Sequence, residues 1–316
     1  MRTLVISSLF WSSIFCGAAL AQVGGPFLGL VPEGTQIRPM YGLPAAGAIG
    51  AAFHSGRAFS LVAVSPQQNF AVAVAADTGE LLIVKPGASI MALNVTETNP
   101  SALVASPHGT AAAAWFPLSG HLIALSGLPD SPQVSVIDVS FLNASPLSIA
   151  ISDDGQWAAG LWGAGVYTFA SSGQVIPLQA DPGVTAIAFF HNSSTLALAT
   201  PNRATSIALG GSLTTSLLYD YSAQPLMPRA IALSFDNKIA AIADVAGTVL
   251  AIQSGAAKVF DCGCTPEGLY GMGGALFRLN GTGATRHGSG ELKLFDAAAG
   301  AVWIVPPGLA LTGGRQ

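Results

Sequence analysis

Short apolar runs of four to six residues alternate with brief polar breaks along the chain, and the same arrangement returns every forty-odd residues. In each unit the first run leads into a polar turn: Leu61-Val-Ala-Val-Ser-Pro66, Ala102-Leu-Val-Ala-Ser-Pro107, Leu147-Ser-Ile-Ala-Ile-Ser-Asp-Asp-Gly155, Ala186-Ile-Ala-Phe-Phe-His-Asn192 and Ala230-Ile-Ala-Leu-Ser-Phe-Asp-Asn237. Counted from the residue at the turn, positions 65, 106, 152, 190 and 234 stand 41, 46, 38 and 44 apart, and a degenerate sixth copy falls near Gly273. Runs this short, bounded by Ser, Pro, Asp, Asn and Gly, predict strands joined by turns.

A second apolar strand follows each turn (Phe70 to Ala75, Ala111 to Phe116, Trp157 to Leu161, Thr195 to Ala199, Ile239 to Ala243, Ala275 to Leu279). A third often begins after a glycine, as at Gly79, Gly120, Gly165, Gly247 and Gly290, and a fourth follows a tight turn such as Ser171-Ser-Gly173. Four short antiparallel strands per unit of this length are the arithmetic of a β-propeller blade. Blades cover one another on both faces, which explains strands that are apolar without strict alternation. The predicted fold is therefore all-β: a single β-propeller of six to seven four-stranded blades. Six clear units occupy 61–308, and 309–316 form a tail. The segment 22–60 adds strand candidates at Pro26 to Val31 and Gln36 to Tyr41, which favours seven blades. In that arrangement the segment lies in a closing blade, built by strands from both ends of the chain; six blades plus a hairpin is the alternative.

The turn Ser152-Asp153-Asp154-Gly155, with its first half kept at Ser65-Pro66 and Ser106-Pro107, resembles the Ser-Pro-Asp-Gly-like turn of exported bacterial propellers of the WD-repeat and YVTN type. The likeness covers roughly 61–306, and the Trp-Asp dipeptide of typical WD repeats is absent. It implies a fold and a surface for binding, not one function.

Composition narrows the setting. The chain has 316 residues, 51% of them apolar and 9% charged, with a formal net charge of −4. High hydrophobicity with low charge excludes a disordered chain, and an acidic balance with scattered cations argues against nucleic acid as a partner. Residues 1–21 carry Arg2, an apolar stretch from Leu4 to Leu20 and small residues at Ala19 and Ala21, the pattern of a secretory signal cut before Gln22. Phe15 before Cys16 argues against lipid attachment. No membrane-spanning segment is expected after cleavage: the uncharged stretch from Gln156 to Ala180 is broken by glycines and Pro177. The expected location is periplasmic or extracellular.

Candidate chemistry is sparse. Cys262 and Cys264, separated by one residue, form either a small disulfide ring or two free thiols, and are a weak metal pair because no histidine or further cysteine lies within ten residues. No nucleophile elbow, zinc-protease motif or phosphate loop occurs; Gly281-Thr-Gly-Ala-Thr-Arg286 reads as a loop between strands. His108 and His191 fall in first-hairpin turns and are expected to face solvent. Asp153 and Asp154 are explained as turn residues, with calcium ligation the alternative; no cofactor is otherwise expected. The loops that should ring one mouth of the central channel hold Arg203, Arg229, Arg286, His287, Asp181 and Glu267. Three arginines on one rim suit a carboxylate or phosphate, or else serve as solubilising charge. Sequons at Asn94, Asn143, Asn192 and Asn280 matter only in a host that glycosylates.

Three functions fit. The first is an exported, monomeric, non-catalytic scaffold that binds a protein or a small anionic ligand. The second is a metal-dependent lactonase or lyase, which the propeller resemblance would place in the central channel. The third, an outer-membrane barrel, conflicts with a mean hydropathy of +0.55 and with a period of forty residues.

Overall fold

The computed structural model describes residues 25–53, 56–88, 90–178, 183–279 and 292–305. Seven antiparallel sheets follow one another along the chain, each a meander whose neighbours in sequence are neighbours in space. Blade 1 holds Phe27–Glu33, Gln36–Tyr41 and Ala48–Ile49. Blades 2 to 7 are four-stranded, and their first strands are Phe59–Val64, Ala102–Ala105, Ser148–Ile151, Ala186–Phe189, Pro228–Leu233 and Tyr270–Gly271. The first strands of successive blades from 1 to 6 lie against one another, which makes them the inner wall of a ring. Among the described residues no helix is long and apolar enough to cross a membrane.

The ring is held by seven buried apolar clusters, one for each pair of neighbouring blades. Strand periodicity produces them. Successive side chains point to opposite faces of a sheet, so in Ala71–Ala75 the residues Val72 and Val74 pack toward blade 3, while Ala71, Ala73 and Ala75 pack toward blade 1. The strand Ala112–Phe116 divides in the same way, Ala112, Ala114 and Phe116 toward blade 2, Ala113 and Trp115 toward blade 4. Because both faces are buried, the second strands of blades 2, 3 and 6 are buried at every position. At the blade 3 to blade 4 contact, Trp115 and Trp162 meet edge to face with centroids 6.4 Å apart, a favoured arrangement for quadrupolar rings.

Seven blades are present, and the first and last of them are neighbours in the ring. Among the described residues blade 1 is a three-stranded sheet, and no strand of blade 7 pairs with it. Side-chain burial joins the two: Val31, Met40 and Ile49 of blade 1 pack with Met272, Leu292, Leu294 and Val305 of blade 7. The expected signal segment 1–21 and tail 309–316 lie outside the described residues.

Candidate functional site

The inner strands enclose a central cavity of about 190 Å³. One end of it is shaped by the turns between first and second strands, and these turns share one chemistry. In blades 2 to 6 the residue at 65, 106, 152, 190 or 234 donates its backbone N–H to the carbonyl five residues on, at 2.8–2.9 Å. Where that residue is Ser106, Ser152 or Ser234, its Oγ also accepts the N–H of the residue five on. In blades 3 and 4 the fourth position of the turn has a left-handed backbone, which glycine meets at Gly109 (φ 80°) and Gly155 (φ 68°). In blades 2 and 6 the same position is occupied by Gln68 (φ 62°) and Asn237 (φ 58°), an uncommon state for residues with a Cβ.

Both of these side chains join blades. Gln68 lies across the ring closure: its Oε1 accepts the N–H of Leu30 in blade 1 at 2.8 Å, and its Nε2 donates to Gly271 O in blade 7 and to Ser65 O, each at 3.1 Å. Asn237 accepts the His191 N–H at 2.9 Å and returns its own N–H to His191 O at 3.0 Å. Asp153 plays the same part for three blades. Its two carboxylate oxygens accept the N–H of His108 in blade 3 at 2.5 Å and of Asn192 in blade 5 at 2.7 Å. Asp154, by contrast, serves its own turn, accepting from the Ser152 hydroxyl and the Gln156 N–H.

The expectation that His108 and His191 face solvent is corrected. His191 is 6% exposed and His108 half-buried, because the turns of blades 3, 5 and 6 meet one another and trap the rings. Phe235 lies 4.7 Å from His108 and 5.2 Å from His191, centroid to centroid, and the two imidazoles stand edge to face at 6.5 Å. Burial pushes the His191 pKa below its ordinary value, against the opposing pull of the Leu233 carbonyl. A neutral His191 that donates from Nε2 to Leu233 O at 3.2 Å carries a lone pair on Nδ1, and among the described residues no partner meets that atom.

The cavity wall is apolar for most of its area, with Val64, Val104, Ile151, Phe189, Leu233 and Phe277 from successive blades. Its polar side chains include Gln68, His191, Tyr270 and Arg278. Tyr270 and Arg278 are opposite one another on the first two strands of blade 7. The guanidinium carbon of Arg278 sits 4.6 Å from the Tyr270 ring centroid, and Arg278 is only 3% exposed. Among the described residues one cation and no carboxylate line the cavity.

Of the sequence-derived rim residues, Arg203, Arg229 and Glu267 fall among the described residues. Arg203 is exposed at the start of a third strand, in register with Asp220, whose carboxyl is held below its ordinary range by the Ser222 hydroxyl and N–H, with a smaller pull from Arg203. Arg229 is exposed beside an irregularity in the inner strand of blade 6, and Glu267 is exposed with its N–H bonded to Leu279 O. None of these three lines the cavity. Asp181, Arg286 and His287 lie outside the described residues. Cys262 and Cys264 are joined in a disulfide, with Cys262 buried against the blade 6 to blade 7 cluster. Among the described residues no group of three or more His, Cys, Asp or Glu is placed to hold a metal. The sequence reading missed Gln68, Tyr270 and Arg278. The signal for Gln68 was available: a glutamine where neighbouring repeats use glycine.

No family model matches the chain, and no curated protein matches it. Solved structures share its fold. A streptogramin B lyase is 13% identical with a TM-score of 0.55, covering 80% of this chain and 83% of the other. Virginiamycin B lyase from Staphylococcus aureus is 11% identical with a TM-score of 0.56, covering 78% and 84%. Apo AztD from Citrobacter koseri is 11% identical with a TM-score of 0.58, covering 90% and 83%. At these identities the likeness is one of fold alone.

Proposed function

We propose that this propeller is an exported, non-catalytic binding protein that holds a small ligand in its central channel. The observation that carries the reading is the cavity itself: about 190 Å³, walled by the inner strands, with a cation and a buried imidazole whose Nδ1 has no partner among the described residues. A concave, mostly apolar space with a few polar groups is the usual form of a small-molecule site. The acid nearest the end turns supports binding over catalysis, since both oxygens of Asp153 are occupied by backbone N–H groups. Export rests on the pattern of residues 1–21.

A thermal-shift screen of the purified chain against small organic acids, amides, sugars and peptides tests the reading, because only ligands that prefer the folded state raise Tm. Ala150→Leu and Ala188→Leu, both on the cavity wall, should abolish the response to any hit while the variants remain folded. Hits that survive both substitutions would place the ligand outside the channel. For export, N-terminal sequencing of protein from the extracytoplasmic fraction should begin at Gln22; a full-length product retained in the cytoplasm would overturn it.

A further inference from the structure

We infer that the Cys262–Cys264 disulfide is a thiol–disulfide exchange site, open to small thiols through Cys264; this goes beyond the channel reading and does not depend on it. The bond closes a ring over Gly263 alone. A disulfide stabilises a fold chiefly by restricting the unfolded chain, and the restriction grows with the length of loop enclosed. A ring this small stands at the weak end of that effect. Both cysteines also belong to one connection, from the outer strand Ala256–Asp261 of blade 6 to the inner strand Tyr270–Gly271 of blade 7, so the bond ties no two elements together. Other contacts already shape that connection. The Cys262 N–H donates to Gly247 O at 2.9 Å, Asp261 Oδ1 accepts the Gly263 N–H at 2.8 Å, and the Glu267 N–H donates to Leu279 O at 3.0 Å. Gly247 leaves room for the Cys264 carbonyl, whose oxygen lies 2.6 Å from the point a Cβ would occupy.

The two sulfurs differ in access. Cys262 is 3% exposed and packs into the cluster between blades 6 and 7, whereas Cys264 is half-buried and flanked by the exposed Gly263 and Thr265. An incoming thiolate therefore meets Cys264. It attacks the Cys264 Sγ, a new S–S bond joins the thiol to Cys264, and the old bond breaks with its electron pair leaving on the Cys262 Sγ, which takes a proton from solvent. The Cys262 Sγ stands 3.2 Å from Cys264 O, so the S–H that forms finds an acceptor in place. A second thiolate then attacks the sulfur of the bound thiol, and Cys264 leaves and is protonated. In sum, two small thiols are oxidised to one disulfide and Cys262 and Cys264 are reduced to a dithiol, the two thiol protons passing to the cysteines through solvent.

The test exposes the folded, oxidised chain to excess reduced glutathione, quenches by alkylation and reads Cys262 and Cys264 by peptide mass. Both should become alkylated, because labile disulfides yield to glutathione where structural ones resist it, and a glutathione adduct on Cys264 should appear as the intermediate. A bond that stays closed in glutathione yet opens in dithiothreitol overturns the proposal, and an adduct confined to Cys262 overturns entry through Cys264. Oxidised glutathione gives a second reading. Cys262→Ser, which keeps Cys264, should form the mixed disulfide about 10-fold faster or more than Cys264→Ser, which keeps the buried thiol; equal rates would reject the assignment of the attacked sulfur. The double variant Cys262→Ser/Cys264→Ser should melt within about 3 °C of the oxidised parent, and a larger fall would make the bond a structural one. The glutathione reaction of the parent chain does not depend on how any variant folds.

Discussion

Replacing Asp153 by Asn separates a residue that merely shapes its own turn from one that fastens three blades. Asp153 is 7% exposed, and its two oxygens accept one backbone N–H from blade 3 and one from blade 5. The amide of asparagine keeps one acceptor and turns the other position into a donor facing an N–H. One backbone N–H loses its partner, at a cost of about 1–3 kcal/mol when buried. Since His108 is half-buried and Asn192 exposed, water can reach part of this junction, and about 2 kcal/mol is the working value. For a chain of this length that corresponds to a fall in Tm of roughly 3 °C. Asp154→Asn is the matched control. Asp154 is exposed and uses Oδ1 for its contacts, which asparagine can reproduce, so its effect should stay within about 0.5 kcal/mol. Urea unfolding followed by tryptophan fluorescence reads both, because Trp115 and Trp162 lie buried at the blade 3 to blade 4 contact. Equal midpoints for the two variants would refute the argument that Asp153 fastens its neighbours.

Two further perturbations probe the same end of the channel. Gln68→Gly keeps the left-handed backbone but removes the bonds to Leu30, Ser65 and Gly271; we expect a loss of about 1–3 kcal/mol and faster hydrogen exchange at the Leu30 amide, and unchanged exchange there would show that packing alone closes the ring. His191, lowered below its ordinary value of 6.5 by burial and facing Asp153, Asp236 and His108, binds a proton more readily unfolded than folded. Stability should therefore be level above about pH 6.5 and decline as pH falls toward the lower folded value, by at most about 1.4 kcal/mol per pH unit from this group. Urea midpoints from pH 7.5 to 5.5 should show that slope in the parent and lose it in His191→Gln; an identical slope in the variant would assign the effect to other groups.

Much of the fold can be read from residue order because its determinants are local. The turn residues at 65, 106, 152, 190 and 234, found by pattern, are the same residues whose N–H groups close the five turns. A turn needs only neighbouring residues to declare itself. The site was less accessible. Tyr270 and Arg278 are eight positions apart and carry no motif; only the antiparallel pairing in blade 7 sets them opposite one another. Arg203, chosen for its loop position, is in register with Asp220 on the outer strands of its blade. Ring closure is a similar case. The packing of Met40 and Val31 on Leu292 and Val305, residues at the far end of the chain, is set by the ring and by no local pattern.

What residue order determined by itself was the strand, the turn and the repeat, since alternation and left-handed turn positions are properties of a few consecutive residues. What tertiary structure alone decided was which polar side chains became buried. Asp153, His191 and Arg278 differ little in sequence context from exposed residues of the same kinds. Their burial arises where turns and strands from separate blades converge on one axis, bringing together residues tens to hundreds of positions apart, and in that low-dielectric space each must find a partner or receive one.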